Sequence, residues 1–141
     1  MQSVKKDERI REGTEEITER DRAVFEVGIK LGALYHQFIG TPLNSETADA
    51  LERMIERSVR LQPFVKGVSV KIDREKLRER ERENGFGYCE LQGDMLKVQI
   101  SVVCGNIEVH ARLNYKEDMM YPLMQIDKII EKEAKHWIRT P

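Results

Sequence analysis

The stretch Leu96-Lys97-Val98-Gln99-Ile100-Ser101-Val102-Val103-Cys104-Gly105-Asn106-Ile107-Glu108-Val109-His110-Ala111-Arg112-Leu113-Asn114-Tyr115 decides the fold. Apolar and polar side chains alternate on both sides of Gly105-Asn106, the period of two that turns one face of a strand to a core and the other to water. Gly-Asn between two such runs marks a tight hairpin. Residues 96–103 and 107–115 are therefore read as paired antiparallel strands. A further strand is expected over 86–92, ahead of Gly93-Asp94, and another over 65–72, where Val68, Val70 and Ile72 alternate with Ser69 and Lys71.

The flanking segments carry helical spacing. Val24, Val27, Leu31, Leu34, Tyr35 and Phe38 recur at intervals of three and four, an amphipathic helix running from about Asp21 to a stop at Gly40 and Pro42. Gly28 and Gly32 lie four apart near its apolar face, leaving room for another helix or a ligand. Asn44-Ser45 opens a second helix with the stripe Ala48, Leu51, Ile55 and Val59, limited by Pro63. Pro122 suits a first helical turn, and Leu123, Ile126, Ile129, Ile130 and Ala134 are spaced for a third helix reaching about Trp137. The charge run 73–84 reads as a solvated helix or a mobile loop, and residues 1–18 as a charged helical arm ahead of one domain over 19–141. The fold class expected is α+β, a mainly antiparallel four-stranded sheet with helices packed on one face.

Composition narrows the function. Twenty-four basic residues against twenty-five acidic ones leave a formal net charge of -1 over 141 residues, which points away from a nucleic-acid partner. The most apolar stretch, 23–39, is broken by Glu26, Lys30 and His36, so no membrane span is expected, and the opening residues lack the apolar core of a secretory signal. A cytoplasmic site is the expectation. Cys89 and Cys104 form no C-x-x-C pair and have no histidine at zinc-ligand spacing, so both are read as reduced thiols in strands, with no metal. The 35% of charged residues resembles the ion-pair networks of heat-adapted proteins.

None of the phosphate-loop, dinucleotide, nucleophile-elbow or zinc-protease signatures is present, so a site has to be assembled from dispersed residues. On a helical wheel Glu26, Lys30, Ala33 and Gln37 form one stripe, with His36 on its flank; the first two read as a surface pair four residues apart. Gln62 continues the core-facing stripe of the second helix, where an amide needs a partner, either the helix end or a ligand. His36 and His110 read as structural histidines and His136 as a surface one, while Tyr115 and Tyr121 flank a loop with Met119 and Met120.

The run Glu19-Arg20-Asp21-Arg22-Ala23-Val24-Phe25-Glu26-Val27-Gly28-Ile29-Lys30-Leu31-Gly32, continued by His36-Gln37-Phe38-Ile39-Gly40-Thr41-Pro42, resembles the archaeal dihydroneopterin aldolase family of methanopterin biosynthesis. Leu61-Gln62-Pro63-Phe64-Val65 and Tyr121-Pro122-Leu123-Met124 match later blocks, so the likeness spans residues 19–130. It implies retro-aldol cleavage of dihydroneopterin to 6-hydroxymethyl-dihydropterin and glycolaldehyde, with no cofactor and no metal. Glu26 and Gln62 would then bind the pterin, while His36 and a tyrosine, Tyr115 or Tyr121, would move protons. Glu26 and His36 stand ten residues apart on one helix, about 15 Å along its axis. A pocket using both is expected between chains of a homo-oligomer, a tetramer by preference. The rivals are a non-catalytic module holding a pterin or purine-like ring and a purely structural assembly subunit.

Overall fold

The computed structural model describes residues 13–133. Three helices and six strands follow in the order α1 (Glu19–Phe38), β1 (Pro42–Leu43), α2 (Ala48–Arg60), β2 (Val65–Ile72), α3 (Arg74–Glu83), β3 (Cys89–Glu90), β4 (Leu96–Cys104), β5 (Ile107–Lys116) and β6 (Tyr121–Glu131). The fold is α+β: β2, β4, β5 and β6 form an antiparallel sheet in that order, and the helices pack on one side of it.

The hairpin at Gly105-Asn106 forms as read. Cys104 pairs with Ile107 across it, and Gly105 takes a left-handed φ of 60°. Alternation then sorts the faces. Leu96, Val98, Ile100, Val102 and Cys104 on β4, with Ile107, Val109, Ala111 and Leu113 on β5, are buried against Ala23, Val27, Leu31 and Leu34 of α1. Thr18 caps α1 with a reciprocal box: Asp21 N donates to the Thr18 hydroxyl at 3.2 Å, and Thr18 N to the Asp21 carboxylate at 2.9 Å. Of the segment expected as a helical arm, residues 1–12 fall outside the described ones and 13–18 carry no helix.

Two expected elements are corrected. The segment read as a third helix from Pro122 is strand β6, at least to Glu131; residues 134–141 lie outside the described ones. A bulge explains the false helical period. Ile126 pairs with Ala111 and Lys128 with His110, so Asp127 is skipped, and Met124 and Ile129, which pack against the core, stand an odd five residues apart. Pro122 is tolerated because β6 is an edge strand. The strand expected over 86–92 shrinks to Cys89–Glu90, paired with Pro42–Leu43 in a separate ribbon. Gly85 and Gly87 both take positive φ there, which breaks an extended run. The sheet keeps four strands because β6 takes the place that 86–92 was expected to fill.

The charge run is helix α3, capped by the Asp73 carboxylate on the N–H groups of Glu75 and Lys76. Leu77 anchors it in the core, and Arg80 grips both carboxylate oxygens of Asp94 in the 3-10 turn Gly93–Met95. Both cysteines lie in strands as free thiols, and burial pushes each thiol up from its ordinary value, so they stay protonated. No helix among the described residues is long and apolar enough to cross a membrane.

The sheet face away from the helices holds a buried carboxylate, Glu108, which accepts from Lys66 at 2.9 Å, lies 3.0 Å from Lys132 and is 2.7 Å from His110 Nε2. His110 thus has the structural role read for it. The two lysines hold the Glu108 carboxyl well below its ordinary 4.5, at about 2. A carboxylate with a lowered folded pKa stabilises fully above the unfolded value and ceases to do so as pH falls through the folded one. Glu108→Gln should therefore lower stability at neutral pH and flatten the acid loss between about pH 4.5 and pH 2, as urea unfolding at a series of pH values would register.

Candidate functional site

Helix α1 runs antiparallel to β4, with its first turn at the β4–β5 hairpin and its last at the start of β4. Its first residue, Glu19, packs so closely on Gly105 that a Cβ there would collide with the carboxylate; near the other end a Cβ on Gly93 would strike the Tyr35 hydroxyl. This orientation assigns every candidate residue to one end of the sheet or the other.

At the hairpin end, Lys30 Nζ meets Glu26 Oε1 at 2.5 Å. The pair is no surface pair: Lys30 is only 5% exposed, and the Glu26 side chain is largely covered. Burying an ammonium is expensive unless a counter-charge and soft neighbours meet it. Glu26 supplies the first, and the Phe64 ring, 5.7 Å from Nζ to centroid, supplies the second. Phe64 belongs to the turn Leu61-Gln62-Pro63-Phe64 between α2 and β2, so Gln62 reaches this same end. The backbone of Gln62 closes the helix, its N–H donating to Val59 O at 3.0 Å, while its side chain is partly exposed.

At the opposite end, His36 is exposed on the last turn of α1, edge-on to Tyr35 with ring centroids 5.4 Å apart. Tyr115 lines a cavity of about 380 Å³ reaching Asp94, Met95 and Lys97, with Lys76 Nζ 4.9 Å from its ring centre. Tyr121 is exposed where β6 begins, opposite Lys116. One chain thus gathers Glu26 and Gln62 at one end of the sheet and His36, Tyr115 and Tyr121 at the other. It does not bring the five together. Among the described residues no three His, Cys, Asp or Glu side chains converge as a metal site.

Lys30 and Phe64 were missed by the sequence reading as site residues. Lys30 left a signal: it follows Val27 by three and precedes Leu34 by four, so it interrupts the core stripe. Phe64 left none, since its neighbourhood and its positive φ of 73° arise only on folding.

The fold is a small α+β scaffold whose polar candidate residues are divided between the two ends of its sheet. A sequence profile described as dihydroneopterin aldolase matches residues 18–127. A relative from Methanopyrus kandleri named dihydroneopterin aldolase is 41% identical over 113 residues, covering 80% of this chain and 91% of its own. Another of that name, from Picrophilus torridus, is 40% identical over 114 residues, with the same coverage of each chain. A crystal structure of a Picrophilus torridus protein is similar at a TM-score of 0.71 and 37% identity, over 82% of this chain and 92% of that one. The chain belongs to the dihydroneopterin aldolase family, and so to the lyases.

The buried pair makes a testable contrast. Lys30→Met, which strands a covered carboxylate, should lower unfolding free energy by about 1–3 kcal/mol. Arg53→Met, which breaks the exposed Asp49 pair, should leave it nearly unchanged, both read by denaturant titration.

Proposed function

We propose that this chain cleaves dihydroneopterin to 6-hydroxymethyl-dihydropterin and glycolaldehyde by a metal-independent retro-aldol reaction, in the cytoplasm, for a methanopterin- or folate-type pathway. The bond between the first and second side-chain carbons breaks as the hydroxyl proton on the second is removed and that carbon becomes an aldehyde. The electron pair passes into the ring C=N bond, and a proton then returns to the first carbon. The ring is its own electron sink, so the protein has to hold it and move two protons.

The observation that carries this reading is the Glu26 carboxylate held by buried Lys30 in a chain of this family. An ionised carboxylate can accept two parallel N–H bonds from the amino-pyrimidinone edge of a pterin, a stronger contact than any neutral acceptor makes. Gln62, whose amide makes no side-chain hydrogen bond among the described residues, would meet the same polar edge. His36 and Tyr115, or Tyr121 in its place, would handle the side-chain hydroxyls.

Since these two groups occupy opposite ends of one chain, the pocket is completed by a second copy in a homo-oligomer. Support comes from the outer face of α1, where Phe25 is 68% and Ile29 45% exposed. Gly28 and Gly32 would present Cβ atoms to nothing within 4 Å among the described residues, so the close approach they permit is open to a partner. Apolar exposure of this kind usually marks an interface.

Three outcomes are expected. Purified protein should release glycolaldehyde from dihydroneopterin with a chelator present, and a loss of activity restored by a divalent metal would refute the metal-independent reaction. Glu26→Gln should weaken pterin binding at least tenfold, read at a temperature where circular dichroism shows the variant folded, because it also removes the counter-charge of buried Lys30. Mixing inactive Glu26→Gln with inactive His36→Asn protein, after gentle dissociation and reassembly, should restore part of the activity. Mixed assemblies verified by mass but wholly inactive would remove His36 from the site.

A further inference from the structure

We propose that Phe64 is the stacking platform for the planar heterocycle, a binding residue beside the Glu26 anchor. The inference rests on the pterin reading above and assigns the face of the ring where that reading assigns its edge.

Three observations meet at this side chain. First, Phe64 has φ of 73°, one of two non-glycine residues with positive φ among the described residues. A bulky aromatic gains nothing intrinsic from the left-handed region, and such strain persists where the surroundings enforce it and function uses it. The surroundings do enforce it: Pro63 restricts the backbone before it, and the Phe64 carbonyl accepts from Val103 N at 2.9 Å, tying the turn to β4. Second, the conformation does not serve burial, because Phe64 is 50% exposed. The strained turn holds an aromatic ring out at the surface, the reverse of what core packing would select.

Third, the ring is not loose. Lys30 Nζ lies over it, and the same ammonium holds Glu26 Oε1. One buried cation thus connects an aromatic face to a carboxylate, by steps of 5.7 Å and 2.5 Å. A flat heterocycle with N–H donors along one edge uses both: its face stacks on Phe64 and its donors meet Glu26. Gln62, two residues before Phe64, is carried by the same turn. Stacking is tolerant of which heterocycle is bound, so Phe64 supplies affinity for flat rings while Glu26 supplies the choice among them.

The test uses the full chain and dihydroneopterin as the probe, with binding by calorimetry, stability by thermal unfolding and oligomer mass by light scattering. Phe64→Tyr, which keeps the ring, should bind within about threefold of the unaltered protein. Phe64→Leu, which keeps an apolar side chain without a π face, should bind roughly tenfold or more weakly. Phe64→Gly should lose affinity to the same degree; release of the left-handed φ offsets the lost contact with Lys30, and thermal unfolding verifies that the variant is folded at the binding temperature. Binding by Phe64→Leu equal to that by Phe64→Tyr would overturn the platform, as would an oligomer mass altered by Phe64→Gly, which would make the ring a subunit contact. If Glu26→Gln loses binding while all Phe64 variants retain it, the platform fails and the functional reading stands. If the unaltered protein binds no pterin, both fail.

Discussion

Helix α1 has to lie flat along the β4–β5 hairpin, because its buried stripe of Ala23, Val27, Leu31 and Leu34 can leave water only against the alternating apolar face of those two strands. Each large side chain in that contact contributes about 1.5–3 kcal/mol by burial, enough in sum to dominate the orientation of the layer. The two close approaches at Gly105 and Gly93 then leave little freedom to slide. At about 1.5 Å per residue the helix spans most of the sheet. It acts as a ruler that keeps Glu26 and His36 apart.

The same packing explains why a lysine can be buried. Lys30 sits on the core stripe, where a hydrocarbon would be the default, so it must be matched by a fixed counter-charge. Glu26, one turn earlier on the same helix, cannot drift away from it, and the turn after α2 lays an aromatic ring alongside. The sheet's far edge is handled with carboxylates too. Glu52 and Glu56 of α2 accept from the outward N–H groups of Ile72 and Val70 at 2.7 and 2.9 Å, so edge strand β2 offers fewer free donors to a stray chain. In both places an ionised side chain is held by backbone or by a fixed partner rather than left to water.

The hairpin, α1, α2 and β2 were legible because each carries a local period, a cap or a turn residue, and local rules act within a few positions. Where a non-local event altered the period, reading failed. The bulge at Asp127 turned strand spacing into apparent helix spacing in β6, and the positive φ of Gly85 and Gly87 cut short the run before Leu91. Residues 73–84 were balanced between helix and loop until Leu77 found the core and Arg80 found Asp94.

The candidate site divides in the same way. Sequence by itself determined the residue types available, the ten-residue spacing of Glu26 and His36 along one helix, and family membership through the blocks that contain them. Tertiary structure alone decided that Lys30 is buried, that Gln62 and Phe64 arrive at the Glu26 end, and that His36 and Tyr115 belong to the other. The physical reason is that burial and electrostatic pairing depend on distances across the sheet. Those distances are set by how α1 and the strands pack, and neither periodicity nor composition records them.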